Sequence, residues 1–324
     1  MRKSQGWLAI ALVLGLLSPT PAVSASPPEY QMIDLGITAA GSASSTARSI
    51  NNHGQIVGTV SSLGPYGAEL DGFWWHRGEV LEFDLASIAI NNRGQIVGNI
   101  FPAGSFDPMG FLYERGQLTN IATGTAFSAV IDINDPGRIL GYDEGPSRAF
   151  IWDAGEVTYL DFAGRIIPRA INNRGQVIGT FKDGATSPWR SFTFDRGVMT
   201  EIVDARGIDW IAVALNERGD VVGSYTEAEF HNSQAFLWRD GVVIDLPALN
   251  DDGRTSARGI NNRGQIVGWS SGPGGSHAVL WDGGDVTDLG IWGNACTPWD
   301  VNESGQVVGD CWIAGESRAF LWER

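Results

Sequence analysis

Short apolar stretches of four or five residues, broken at regular intervals by Asn, Gly and Asp, run from Met32 to Trp322. No sustained 3.6-residue apolar pattern occurs, and Gly, Trp, Val and Ile are abundant where Lys and Glu are sparse. This pattern predicts strands and argues against helices. Seven segments share one signature, complete at Ile50-Asn51-Asn52-His53-Gly54-Gln55-Ile56-Val57-Gly58 and begun again at Ile90-Asn91, Ile133-Asn134, Ile171-Asn172, Leu215-Asn216, Ile260-Asn261 and Val301-Asn302. The leading Asn residues lie 40, 43, 38, 44, 45 and 41 positions apart. A second signature follows most of them, as in Gly72-Phe73-Trp74-Trp75, Ala149-Phe150-Ile151-Trp152, Ala235-Phe236-Leu237-Trp238 and Ala319-Phe320-Leu321-Trp322. In every copy but the last, a Gly a few residues on introduces a further short run such as Val243-Ile244-Asp245-Leu246.

Each repeat therefore holds four short strands, here called a to d. Strand a ends at Ile-Asn, b is Gln-Ile-Val-Gly, c is Ala-Phe-Leu-Trp, and d carries Asp-Leu. Asn-x-x-Gly between a and b predicts a hairpin loop: Asn bonds the backbone ahead of it, and Gly at the fourth place takes the left-handed conformation of a bulged loop. The third copy has Asp135-Pro136, with Pro where a type I turn disfavours it, so a different turn is expected there.

The last repeat stops after strand c at Trp322, whereas Met32-Ile33-Asp34-Leu35-Gly36 reads as a d strand with no c strand before it. Joining the two gives seven complete sheets and protects their edges. Residues 30–324 then supply about 42 per unit, inside the range of four-stranded propeller blades. The expected fold is all-β: a seven-bladed β-propeller of four-stranded blades, closed by the N-terminal strand joining the C-terminal blade. A β-solenoid is the alternative; it would need polar caps at both ends.

The recurring Ala-x-x-Ile-Asn-Asn-Arg-Gly-Gln-Ile-Val-Gly and Ala-Phe-Leu-Trp are similar to the bacterial extracellular repeat family called HAF, after the His-Ala-Phe that starts strand c. The resemblance covers nearly all of residues 30–324. His277-Ala278 keeps the family's His but is followed by Val279, and Gln234 or Arg148 stands at that place in other copies. The resemblance implies export and repetition and carries no catalytic residues.

Residues 1–25 read as a secretory signal peptide, leaving 26–324 as the propeller domain. Arg2 and Lys3 precede an apolar run at 7–17, Pro19 and Pro21 interrupt it, and Val23-Ser24-Ala25 offers a cleavage site. The run is shorter than the roughly 20 residues that span a bilayer. The expected product is secreted, extracellular or periplasmic, with no membrane insertion after cleavage and no C-terminal anchor. The formal net charge of −15 becomes −17 without the signal. So acidic a chain, lacking a basic stripe, repels phosphate backbones, which excludes nucleic acid as a partner.

The a–b and c–d turns are short and repetitive and belong on one face. The b–c and d–a connections vary widely, as at 59–71, 99–109, 204–210 and 247–255, and loops of that kind on a rigid frame carry binding sites. Within the inner strands, the place two before each key Asn is mostly small. Asp132 and Asp300 break that rule, and Arg48, Arg169 and Arg258 lie one residue further back. These five are candidate ligand residues at the channel mouth, or charges pairing with each other and with backbone in a wet channel. Trp75, Trp152, Trp238, Trp281 and Trp322 share a strand-c place and belong to the core. Trp189, Trp210 and Trp292 fall outside that pattern and are candidates for binding a saccharide or peptide; the bland alternative is that they cover gaps between blades.

Other motifs mostly fail. Gly268-Trp269-Ser270-Ser271-Gly272 matches a nucleophile elbow, but its first Gly is the strand-b Gly of the repeat, and no strand-to-helix turn is available. Asn250-Asp251-Asp252-Gly253 lacks the acidic spacing of a calcium loop. The four His and two Cys provide no zinc spacing, so neither metal nor cofactor is expected. Cys296 and Cys311 flank one a–b turn, and export favours a disulfide. The bulged loop of the other copies would misalign them unless this turn is tighter or a bulge near Pro298 restores register. The expected function is a non-catalytic binding or scaffolding propeller, a monomer, with a saccharide, peptide or cell-surface protein on the variable-loop face. The alternative is an exported polysaccharide hydrolase or lyase with its site at the channel mouth, an argument from fold alone.

Overall fold

The computed structural model describes residues 30–37, 42–64, 67–101, 107–121, 123–124, 128–143, 148–160, 162, 164–184, 186–203, 210–226, 233–250 and 253–324. The signal segment expected at 1–25 lies outside them, as do parts of most b–c and d–a connections. The described residues form strands and turns, with no helix.

After β1 (Gln31–Asp34), the strands come in antiparallel sets of four. The first set is β2 (Ser42–Ile50), β3 (Ile56–Gly64), β4 (Gly67–His76) and β5 (Glu79–Phe83). Next come β6 (Ala86–Ile90), β7 (Ile96–Ile100), β8 (Met109–Glu114) and β9 (Gln117–Asn120), then β10 (Ser128–Ile133), β11 (Ile139–Asp143), β12 (Arg148–Asp153) and β13 (Glu156–Tyr159). They are followed by β14 (Arg165–Ile171), β15 (Val177–Lys182), β16 (Arg190–Asp195) and β17 (Val198–Ile202), and by β18 (Trp210–Leu215), β19 (Val221–Thr226), β20 (Ser233–Arg239) and β21 (Val242–Asp245). The chain finishes with β22 (Thr255–Ile260), β23 (Ile266–Gly272), β24 (Gly275–Asp282) and β25 (Asp285–Gly290), then β26 (Ala295–Val301), β27 (Val307–Ile313) and β28 (Glu316–Glu323). β1 pairs antiparallel with β28, Gln31 opposite Glu323 and Asp34 opposite Phe320.

The turns follow from their residues. The c–d hairpins at Arg77-Gly78, Arg115-Gly116, Ala154-Gly155, Arg196-Gly197, Asp240-Gly241 and Gly283-Gly284 have both residues at positive φ. That conformation matches the right-handed twist of the strands, and Gly at the second place meets it without strain.

Apolar clusters fill the spaces between consecutive sets. Val222, Leu237 and Leu246 of one set meet Ala257, Ile266 and Trp281 of the next. Likewise Val308, Ala319 and Leu321 of the last set pack with Ala47, Ile50, Ile56 and Phe73 of the first. Of the strand-c tryptophans, Trp281 and Trp322 are fully buried and Trp152 nearly so, while Trp75 and Trp238 are partly buried against the same clusters. The first strands of successive sets touch one another, and β26 touches β2. The architecture is all-β and propeller-like.

Every first strand carries a bulge near its end, which skips Arg48, Ile88, Ile131, Arg169, Val213, Arg258 and Trp299 in turn; β2 has a second irregularity between Ser42 and Ser44. The bulge at Trp299 sets Cys296 directly opposite Cys311, and the two form a disulfide. Of the ways to align them, the bulge near Pro298 is the one realised. The bridge closes a separation of 15 residues, worth about 3 kcal/mol in the chain-entropy account. A Cys296→Ser/Cys311→Ser variant is expected to lose about that much in urea unfolding, and intact mass should rise by two hydrogens on reduction of the wild type. An unchanged mass would remove the bridge.

Candidate functional site

The a–b turns build the frame around the axial opening. In each, the leading Asn accepts backbone N–H groups through Oδ1; Asn51 takes those of His53 and Gln55, both at 3.0 Å. The fourth-place Gly donates back to the Asn carbonyl at positive φ, as Gly54 does at φ 75°. The Asp135-Pro136 turn keeps this backbone: Gly137 N–H donates to Asn134 O, and Asn134 N–H to Arg138 O. The expected departure shrinks to two lost bonds: Pro136 has no N–H to give Asn134, and Arg138 replaces the Gln or Asp whose side-chain oxygen accepts from the leading Asn in the other turns. Bonds from the neighbouring turns, Asn92 to Asp135 and Asp135 to Asn173, hold the loop in its common shape.

Two rings of hydrogen bonds link these turns. Nδ2 of Asn51 donates to the carbonyl of Asn91, Asn91 to Asn134, Asn134 to Asn172, Asn172 to Asn216, Asn216 to Asn261, Asn261 to Asn302, and Asn302 back to Asn51, all at 2.9–3.3 Å. One residue on, each backbone N–H donates to the side-chain oxygen of its counterpart in the next set. The series runs Asn52 to Asn92, Asp135, Asn173, Glu217, Asn262, Glu303 and again Asn52. Together they line a polar cavity of about 180 Å³. Sequence reasoning singled out the leading Asn but missed the residue after it. Its signal is that this place always carries a side-chain carbonyl or carboxylate.

Deeper along the strands lie the charged candidates. Asp132 accepts the N–H groups of Ile133 (2.8 Å) and, across the gap to the next set, of Ile171 (2.9 Å). Asp300 does the same for Val301 and Ile50 and also accepts from the Ser49 hydroxyl. Both are recessed, reachable by water yet hemmed in by protein. Desolvation pushes the Asp132 carboxyl up to about 7 against the pull of its two backbone bonds, and the Asp300 charge adds to the rise. Asp300 is raised as well, by desolvation.

A carboxyl raised on folding keeps its proton in the native state where the unfolded chain has lost it. Native stability therefore falls as pH climbs from about 4 to about 7. Asp132→Asn removes this titration, so its stability relative to wild type is expected to rise through that window. A difference flat with pH in urea unfolding would contradict the placement.

Arg48 and Arg258 stand over the ring of Trp299, at 4.8 and 5.0 Å from its centroid. Arg169 is exposed. Desolvation lowers the Arg258 guanidinium, helped by the charges of Arg169 and then Arg48. Three of the five charged candidates thus share one region, with Trp299, which sequence reasoning did not single out, between two of them.

The aromatic candidates separate. Trp210 is 2% exposed, packed edge-on against Tyr225 and Phe236; it opens β18 and faces inward, so it belongs to the core and not to the binding surface. Trp189 is partly buried, with the Lys182 ammonium 5.1 Å from its ring centre. Trp292 is 48% exposed beside the disulfide, its N–H directed at Cys296 Sγ. Trp312, 47% exposed near the end of β27, accepts at its carbonyl from Asn294 N–H. Sequence reasoning did not weigh Trp312.

Ser270, His277 and Asp288 superficially complete a triad. Asp288 does meet His277 Nδ1 at 2.9 Å, but Nε2 is held by the Pro273 carbonyl, and buried Ser270 accepts from Leu249 N–H. The base is engaged elsewhere, so the arrangement lacks the proton relay a serine nucleophile needs.

No family model matches the chain, and no curated protein matches it in sequence. Solved structures do. The β-propeller domain of the Trilobed protease from Pyrococcus furiosus, which has an open velcro topology, is similar at TM-score 0.64 and 12% identity, over 88% of this chain and 95% of that one. Acylaminoacyl peptidase from Pyrococcus horikoshii gives 0.63 and 13%, over 87% of this chain and 51% of that one, so this chain spans about half of the peptidase. Virginiamycin B lyase from Staphylococcus aureus gives 0.59 and 11%, over 91% and 99%. At these identities the likeness is one of fold, and the fold is that of β-propeller proteins.

Proposed function

We propose that this protein is an exported, seven-bladed β-propeller of the HAF-repeat type that acts as a non-catalytic binding or scaffolding module. Seven blades and closure are supported by the two hydrogen-bond rings that return to their starting residue and by the pairing of β1 with β28. Export is supported by the disulfide, which persists in oxidising compartments, and by the signal-like start.

One observation carries the binding reading, an asymmetry between the two ends. At the a–b end the repeated Asn, Asp and Glu side chains are spent on linking neighbouring turns. At the other end Trp292, on the connection leading into β26, and Trp312, near the end of β27, both stand nearly half exposed. Large exposed aromatics on a rigid frame suit a saccharide or peptide. The hydrolase or lyase reading rests on Asp132 and Asp300, and both are already bound by backbone amides of two strands, which is structural work.

The test is a glycan and peptide array probed with wild type and with a Trp292→Ala/Trp312→Ala variant. Loss of the captured ligand in the variant is the expected result. Equal capture by both proteins would overturn the placement, and turnover of a polysaccharide that Asp132→Asn abolishes would overturn the non-catalytic reading.

A further inference from the structure

Three arginines of this acidic chain, net charge −15, stand without an acid of their own. Some others among the described residues are paired, Arg138 with Asp153, Arg190 with Glu201, Arg218 and Arg239 with Asp220, and Arg318 with Asp34, while Arg77 and Arg115, also without an ion pair, are exposed to solvent on c–d turns. Arg48, Arg169 and Arg258 make no ion pair and no hydrogen bond among the described residues. The Nε of Arg258 is closed off from solvent with no partner at all. Asp310 is the acid whose charge acts on Arg48, yet its oxygens already accept from Trp299 Nε1 at 2.6 Å and from the Ser317 hydroxyl.

Their positions are equivalent. Each is the residue skipped by the bulge of a first strand. A bulge turns its extra side chain out of the ladder. Here all seven skipped residues keep some accessibility while the residue before each is buried. First strands neighbour one another around the axis, so the skipped side chains are gathered at the axial opening. Trp299, itself a skipped residue, lies between Arg48 and Arg258 and holds both guanidiniums by cation–π contact. Ile88 and Ile131 occupy the equivalent places between Arg48 and Arg169. The ring is thus cationic along one arc and apolar along another.

Like charges gathered without an ion pair repel, with Asp310 acting on Arg48 and not on Arg258, and their common complement is an anion. Guanidinium groups present paired N–H donors that fit carboxylate and phosphate oxygens. We propose that Arg48, Arg169 and Arg258 form an oxyanion-binding site at the axial opening, positioned by Trp299, for a ligand bearing a carboxylate or phosphate group. The site is separate from the aromatic surface argued above and stands without it.

Isothermal titration at low ionic strength tests it, with citrate and inorganic phosphate as probes of the two oxyanion sources. Wild type is expected to bind at least one of them. Arg258→Gln, Arg48→Gln and Arg169→Gln should each weaken binding about tenfold, the loss of one charge-assisted contact. Arg196→Gln, which removes an exposed arginine on a c–d turn, should leave binding unchanged. Thermal unfolding gives an independent readout. The bound probe raises the midpoint of wild type, whereas Arg258→Gln without ligand melts no lower than wild type because it relieves repulsion. If Arg258→Gln fails to fold, Arg258→Lys keeps the charge, loses the fork and should bind more weakly. Failure of wild type to bind either probe, or affinities in all three variants equal to wild type, would overturn the site.

Discussion

Gly223→Ala is expected to destabilise the protein by about 4 kcal/mol, the upper part of the range for single substitutions. Gly223 pairs with Ala212, immediately before the bulge at Val213. A Cβ there would overlap the carbonyl of Ile211 and come within 3.0 Å of the Ala212 Cα. These are backbone atoms of the paired strand, which cannot step aside without breaking the ladder. The same relation holds at every strand-b Gly: Gly58 meets Thr46 O, Gly268 meets Ser256 O and Gly309 meets Thr297 O. The repeat thus needs Gly because the bulged neighbour drives a carbonyl into the place where a side chain would stand. The Phe of strand c covers the vacated space, with Phe73 across from Gly58 and Phe236 across from Gly223. Urea unfolding with an unchanged m value is the measurement. A loss under about 1 kcal/mol would show that the strand gives way easily and that the Gly answers to something else.

Asn261→Ala is expected to cost a similar amount, about 4 kcal/mol at roughly 1 kcal/mol for each of four lost bonds. The Asn261 amide donates to Gln265 Oε1 and to the Asn302 carbonyl and accepts from the N–H groups of Arg263 and Gln265. It is 4% exposed, so water cannot replace what is removed, and unsatisfied buried groups carry most of the penalty. Asn261→Asp keeps both accepted bonds and loses both donated ones, and should fall between the variant and the wild type near neutral pH. If Asn261→Ala unfolds at the wild-type midpoint, the ring contributes nothing to stability.

Strands, turns and the disulfide were legible because each rests on local chemistry: alternation for strand c, x-Gly for the c–d hairpins, Asn-x-x-Gly for the a–b loops. The bulges were not, apart from the one near Pro298 that the cysteine spacing offered as an alternative. Their places hold Arg, Ile, Val and Trp without a shared type, since a bulge is imposed by the paired backbone and only Gly on the opposite strand betrays it. Trp210 was misread for a related reason. Its repeat lacks the ordinary start of strand a, so a core residue looked like part of a loop, and its burial depends on Tyr225 and Phe236 in other strands. Of the charged candidates, their shared strand level was readable from spacing, whereas the division between amide-bound Asp132 and Asp300 and the unpaired arginines required coordinates. Parts of the connections expected to vary lie outside the described residues, so the surface read from them rests on Trp292 and Trp312.

The β1–β28 register bears on where the polypeptide could be cut. Gln31 faces Glu323 just as Glu79 faces His76 across Arg77-Gly78. A two-residue Asn-Gly bridge from Glu323 to Gln31 would therefore have the geometry of the hairpins already present. A circular permutant so joined and reopened between Arg196 and Gly197 should retain the native strand order, with an internal sheet now made from contiguous chain.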